Sequence, residues 1–324
     1  MAKYRNRLPQ LSGRLFLTDG GIETSLIYLQ GFDLPYFAAF DLLKTDIGLR
    51  GLREYFEPYA RIAHEQGLGI VLESPTWRAN SDWADKLGYS DADLTDIRRR
   101  SIDLLLDLRA KYETEQSPVV ISGCLGPRGD GYNPSNRMGA HEAAAYHTAE
   151  IQGFAETDAD MVTAITMNYT EEAIGVAQAA SDAGMPVVIS FTVETDGRLP
   201  TGESLEKAIA IVDGETDATP EYYMINCAHP THFEGIIAAG APWTERVRGL
   251  RANASRKSHA ELDISTTLDS GNPDELAREY IDLRRRLRHL NVLGGCCGTD
   301  QRHIEKIGLA CLAAERQAAT VPAL

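Results

Sequence analysis

Residues 161–191 read Met161-Val162-Thr163-Ala164-Ile165-Thr166-Met167-Asn168-Tyr169-Thr170-Glu171-Glu172-Ala173-Ile174-Gly175-Val176-Ala177-Gln178-Ala179-Ala180-Ser181-Asp182-Ala183-Gly184-Met185-Pro186-Val187-Val188-Ile189-Ser190-Phe191. The apolar run at 161–166 lacks clean alternation, which suits a strand buried on both faces of a parallel sheet. A helix is predicted over 171–183, ended by Gly184, and Pro186 then opens a second such strand at 186–191. Outward from this strand–helix–strand unit the same alternation runs in both directions. Further strands are predicted at 15–18, 69–72, 119–122, 222–226, 248–252 and 291–294, which makes eight in all. Further helices are predicted at 52–66, 91–112, 139–156, 203–212, 231–239, 273–288 and 301–317. Gly67 is placed to cap the first of these, and Pro273 suits a first helical turn. Eight strands alternating with eight helices is the count of a (β/α)8 TIM barrel, and the length suits one. The expectation is an α/β chain with a single barrel domain over 1–324; the rival is an open doubly wound sheet. The two longest connections, 19–52 and 73–91, carry aromatic-rich stretches at 31–40 and 75–89, read as non-helical. They follow strands one and two, on the face where barrel enzymes build their sites.

The 324 residues include 32 basic and 47 acidic side chains, a formal net charge of −15. With no basic run longer than Arg98-Arg99-Arg100, the chain is a poor candidate for gripping nucleic acid or an anionic membrane. An apolar fraction of 43% excludes a disordered chain. No apolar stretch approaches the roughly 20 residues of a membrane span. The polar start, Met1-Ala2-Lys3-Tyr4-Arg5-Asn6, leads into no signal-peptide apolar region, so a cytoplasmic setting is expected. Five cysteines, two of them adjacent, do not resemble a secreted disulfide framework. In a reducing compartment a thiol cluster points instead to metal ligation or reactivity.

The chemistry concentrates in Gly294-Gly295-Cys296-Cys297-Gly298-Thr299, directly after the eighth strand, and in Asn226-Cys227, directly after the sixth. Alternate strands of a barrel contribute to one layer, so three thiolates can converge there. Three thiolates with one open position make a catalytic zinc site. Adjacent cysteines in a regular strand point to opposite faces, and the flanking glycines permit the sharp turn that would bring both to one ion. Two other readings stay open: a pair of buried small hydrophobes, and a redox-active disulfide between the adjacent pair. Cys124 is read as wall lining, and Cys311 as core.

With these residues in hand, the sequence resembles the zinc-dependent homocysteine S-methyltransferases. That family includes the betaine– and S-methylmethionine–homocysteine methyltransferases and the homocysteine domain of cobalamin-dependent methionine synthase. The resemblance rests on Thr18-Asp19-Gly20-Gly21-Ile22-Glu23-Thr24, on Asn226-Cys227 and on the Gly-Gly-Cys-Cys-Gly string, and it extends to segment 251–255 with Asn253. It implies zinc on Cys227, Cys296 and Cys297, with an acceptor thiol, homocysteine first, ionised at the open position. That sulfur would attack a methyl group on a small onium donor, an S-methylmethionine-like sulfonium or a betaine. It further implies Asp19 and Glu23 as the catalytic carboxylates, Asp19 facing the acceptor's amino end. Glu73, Trp77, Tyr169 and Asn253 are the expected substrate-binding residues, with Phe191, Tyr36 and Trp83 as further aromatic faces for the onium. Partners would be these small molecules, with no nucleic acid and no membrane; homo-oligomerisation is left open.

The chain departs from the family at one position. Many members carry a glutamate after the fourth strand for the acceptor's amino group, and Ile165 stands there. Either Glu23, Glu73 or Glu194 substitutes, or the acceptor is a different thiol. The barrel uses nearly all of the chain, leaving no folate or cobalamin domain, which favours a small soluble donor. Only residues 318–324 follow the last predicted helix, so an arm-swapped assembly is not implied. A zinc- or thiol-binding protein without methyl transfer is the alternative of a different class. A Schiff-base lyase or aldolase would want a lysine at a strand end, and none is present. His229 is a candidate to orient the cysteine site from behind; the remaining histidines, His259 among them, carry no motif.

Overall fold

A computed structural model of the chain describes residues 1–237 and 240–320. Among these, eight parallel strands follow one another in sequence order: β1 (Phe16–Leu17), β2 (Gly69–Glu73), β3 (Val119–Leu125), β4 (Met161–Met167), β5 (Val187–Thr192), β6 (Tyr222–Asn226), β7 (Val247–Ala252) and β8 (Val292–Gly295). β1 pairs with both β2 and β8, so the sheet closes into a (β/α)8 TIM barrel and the open-sheet rival falls. The helices are α1 (Ile22–Tyr28), α2 (Asp46–Gln66), α3 (Ser81–Leu87), α4 (Asp91–Tyr112), α5 (Ala140–Ala155), α6 (Thr170–Asp182), α7 (Leu205–Glu215), α8 (Pro230–Phe233), α9 (His259–Asp263), α10 (Pro273–Arg286) and α11 (Gln301–Thr320). α1, α3 and α9 lie in the connections after β1, β2 and β7, and the others form the outer layer.

Several boundaries differ from expectation for physical reasons. α2 begins at Asp46 rather than 52, because the Thr45 side chain accepts the Gly48 N–H and starts the helix there. Stretch 75–89 is not wholly non-helical: Asn80 caps α3 within it by accepting the Trp83 N–H. The helix expected over 231–239 is only α8, followed by a 3-10 turn at Glu234–Ile236, where Gly235 weakens helical continuation. Residues 238 and 239 of that expectation, and 321–324 of the expected tail, lie outside the described residues. β3 runs on to Leu125, which places Cys124 inside the strand. The connection at 253–272, between β7 and α10, is longer than the one after β2, contrary to expectation.

The barrel interior is apolar at its N-terminal end and polar at its C-terminal end. Phe16, Val71, Val120, Met161, Val188, Tyr222, Met224 and Val292 fill the lower half, with Leu8 packed on them. Full burial of such side chains contributes about 1.5–3 kcal/mol each. Above them the inward positions turn polar: Ser122 and Thr163 hydroxyls lie 2.8 Å apart, and Ser190 Oγ donates to Asn226 Oδ1 at 2.6 Å. A larger apolar cluster seals the sheet against the helices. The lower plug is therefore a rigid floor, and the polar end opens into the site.

Candidate active site

Three cysteine sulfurs, those of Cys227, Cys296 and Cys297, lie within 4.8 Å of one another at the C-terminal ends of β6 and β8. The Cys227 and Cys296 sulfurs are in direct contact, and Cys297 stands beside them. Cys227 adopts a left-handed backbone with φ +54, a conformation a non-glycine residue keeps only when its surroundings impose it. Its carbonyl accepts from Asn253 Nδ2 at 2.9 Å and from His259 Nε2 at 2.5 Å, and its N–H donates to the Arg251 carbonyl at 3.1 Å. Asn226 braces the neighbouring strand end. Its Oδ1 accepts the Thr166 N–H and its Nδ2 donates to Thr166 Oγ1, holding Thr166 at φ +67.

The Cys296-Cys297 turn is held by its own Thr299 and by Thr24 of α1. Thr299 N–H and hydroxyl both donate to the Cys296 carbonyl, and the Gly298 N–H donates to Thr24 Oγ1. A Cβ on Gly21 would sit 2.5 Å from the Cys296 carbonyl oxygen, and one on Gly20 would sit 2.8 Å from that of Thr299. Only glycines allow this approach, so the Asp-Gly-Gly and Gly-Gly-Cys-Cys-Gly segments are two halves of one packed turn.

The sulfurs open into a cavity of about 220 Å³, the size of an amino acid rather than a large cofactor. Asp19, Glu23, Glu73, Trp77, Cys124, Ile165 and Asn253 line it. Asp19 is already engaged: Oδ1 accepts from Arg251 Nη1 at 2.6 Å and Oδ2 from the Tyr55 hydroxyl at 2.8 Å. Glu73 ends β2 with Oε2 buried and without a hydrogen-bond partner. Burial pushes its carboxyl up to about 7, against the pull of Arg251. Burial likewise raises Glu23 to about 7, with Asp19 adding and Arg78 and Arg251 opposing. The Cys297 thiol is pushed up to about 12, first by burial and then by Glu23. A bound cation would act in the opposite direction on that sulfur.

Other expected residues lie elsewhere. The Tyr169 hydroxyl accepts the Met138 N–H behind the wall, and Tyr169 is not among the lining residues. Phe191 stacks on Tyr223 in the outer core, 6.0 Å between centroids, and Trp83 does not line the cavity either. Glu194 lies 3.3 Å from His259 Nδ1 and is not a lining residue. His229 caps α8 by accepting the Thr231 N–H. Reading by motif missed His259, Tyr132, Asp130 and Arg78, all of which line the cavity. The Tyr132 ring packs 4.1 Å from that of His259, and Tyr132 lines the cavity beside Cys297.

The donor set suits a thiophilic ion. Three thiolates are soft ligands, and around one zinc at about 2.3 Å per bond neighbouring sulfurs stand roughly 3.8 Å apart, within the observed spread. A sulfur–sulfur bond and metal ligation are alternative states of the Cys227–Cys296 pair.

Comparison with known proteins agrees with this geometry. A family model for homocysteine S-methyltransferase matches residues 16–311. Methionine synthase from Mycobacterium leprae is 25% identical over 277 residues, 80% of this chain but only 20% of that protein, so the chain spans about a fifth of that relative's length. The homocysteine methyltransferase MmuM from Escherichia coli, in its metallated form, superposes with a TM-score of 0.72 at 16% identity, over 94% of this chain and 99% of that one. Its oxidized form gives 0.71 at 15% identity, over 97% and 100%. At such identities these two structures speak to the fold, and the family match carries the assignment: the chain belongs to the homocysteine S-methyltransferase family.

Proposed function

We propose that this chain is a zinc-dependent S-methyltransferase, moving a methyl group from a small onium donor to a thiol, with homocysteine the first candidate acceptor and methionine the product. The donor classes are an S-methylmethionine-like sulfonium and a betaine. Residues 1–324 act as one barrel domain in this reading, in a cytoplasmic setting that keeps the thiols reduced. The observation that carries it is the convergence of Cys227, Cys296 and Cys297 on the floor of an amino-acid-sized cavity.

When bound by these three cysteines, zinc would supply an open position at which an acceptor thiol ionises and stays nucleophilic. The chain's own residues do the rest. Asn253 and His259 hold the Cys227 carbonyl and so aim its sulfur. Asp19 anchors Arg251 and the Tyr55 hydroxyl, and each of its oxygens keeps a lone pair for the acceptor amine. Glu73, with a free buried oxygen, and Glu23 are the carboxylates we assign to an ammonium or onium group, with Asp130 lining the same cavity. Methyl transfer discharges a cation, so the reaction gains from placement and exclusion of water, and needs no acid or base.

The test is X-ray absorption at the zinc edge on anaerobically purified, reduced protein. Three sulfurs and a light atom are expected, becoming four sulfurs on addition of L-homocysteine. No zinc in protein whose thiols are demonstrably reduced would overturn the mechanism. A second reading, a different thiol acceptor, draws on the apolar Ile165 in the cavity wall. Zinc with three sulfurs and no change on adding L-homocysteine would favour it.

A further inference from the structure

We propose that Arg78 is a specificity-determining residue of the cavity, selecting a substrate that carries a carboxylate. This rests on the methyl-transfer reading above for the identity of the two substrates. Trp77 and Trp83 supply two of the aromatic faces expected to cage an onium group, but the protein fills that cage itself. The guanidinium carbon of Arg78 stands 4.1 Å from the centroid of each ring. Nη1 donates to the Gly129 carbonyl at 2.7 Å, and Trp83 Nε1 donates to the same oxygen at 3.2 Å, so one carbonyl ties Arg78 to Trp83.

Arg78 is 9% exposed and lines the cavity. Among the described residues it forms no ion pair, and neither Nε nor Nη2 has a hydrogen-bond acceptor. Arg251, the other arginine of the cavity, differs in each respect: it is neutralised by Asp19 and also bonds Thr18 and Gly20. Asp130 and Glu23 act on this cation only at longer range, and a buried cation without a direct partner is costly. With Nη1 taken by Gly129 and Nε buried, Nη2 is the donor left for a substrate carboxylate. Glu23 and Glu73 give the same cavity its negative side. The two signs together match a zwitterion, of the amino-acid or betaine class, better than a simple thiol or a simple onium ion. The carboxylate could belong to the acceptor or to the donor, and the experiment separates them.

Affinities are measured by calorimetry on reduced, zinc-loaded protein for two matched pairs. The acceptor pair is L-homocysteine and 3-aminopropane-1-thiol; the donor pair is S-methyl-L-methionine and its decarboxylated sulfonium. One pair is expected to favour the carboxylate-bearing member by about tenfold to a hundredfold, the range of a charged hydrogen bond. Arg78→Gln should erase that preference while leaving the decarboxylated member's affinity in place, and Arg78→Lys should restore part of it. No preference in either wild-type pair, or an equal loss for both members in R78Q, would overturn the assignment. Turnover is assayed in parallel. An intact carboxylate preference without any turnover would count against methyl transfer and leave Arg78 standing.

Discussion

At the scale of single residues, the two carboxyls near 7 set the pH behaviour. Glu73 is buried, and its acid is raised from 4.5 to about 7. A raised carboxyl means that the fold prefers the protonated form. Its stabilising effect is complete below about 4.5 and is lost as pH rises through 7, by about 3 kcal/mol for a shift of this size. Glu73→Gln should therefore stabilise the metal-free protein at pH 8 and change little at pH 4, as read by urea denaturation at both. The same substitution should weaken discrimination between L-homocysteine and a thiol lacking the amine. In the wild type that discrimination should fall from pH 8 to pH 6, as the carboxylate that would face an ammonium takes up a proton. A stability gain for E73Q that is equal at both pH values would show that burial of the charge is not what raises Glu73. The strain at Cys227 and Thr166 belongs to this scale too, since Asn226, Asn253 and His259 each give up a side chain to maintain it.

At the scale of elements, the site is a junction between the turn after β1 and the turn after β8. Gly21→Ala would place a methyl 2.5 Å from the Cys296 carbonyl oxygen, a backbone atom that cannot swing aside, and 2.5 Å from Thr24 Oγ1. A loss of about 1–3 kcal/mol in stability is expected, the ordinary cost of overpacking, together with weaker zinc binding. Gly139→Ala is the control for zinc binding: a Cβ there meets nothing within 4 Å, so the zinc titration should not move, while the loss of the glycine N-cap of α5 lowers stability only modestly. Much of this junction was legible. Parallel strands buried on both faces read as apolar runs, so all eight were found within a few residues. α4 is legible to the residue from its apolar face of Leu94, Ile97, Ile102, Leu105 and Leu108, and in the structure a Ser90–Asp93 capping box fixes its start. The short helices α1, α3 and α9 were not legible, since five to seven residues give too few turns for a period to show. The long polar connection after β7 was missed for the same reason, and with it His259. Its bond to the Cys227 carbonyl spans 32 residues and exists only once the barrel has closed. Arg78 was invisible as a cavity residue because its partners, Trp83 and Gly129, come from two different connections.

At the scale of the molecule, the barrel is a scaffold whose apolar floor is complete without a ligand, while its upper end holds strain, buried charge and a reactive sulfur pair. Ligand binding should therefore act on stability through the site alone. An ion bound to the folded state and not to the unfolded chain stabilises by RT ln(1 + [L]/Kd), about 4 kcal/mol at a thousandfold excess over Kd. Unfolded cysteines bind some zinc, which lowers this figure. For a domain of this size the gain corresponds to a rise in Tm of several degrees. Because a Cys227–Cys296 bond withdraws two of the three ligands, the rise should appear only in protein whose thiols are reduced. Melting curves of reduced and oxidised protein, each with and without zinc, check this directly. The reduced sample should shift with zinc and the oxidised one should not, and treating the oxidised sample with a thiol reductant should recover the shift. Equal shifts in both states would place the bound ion somewhere other than the three cysteines, and the reading of the cavity floor as a metal site would fail with it.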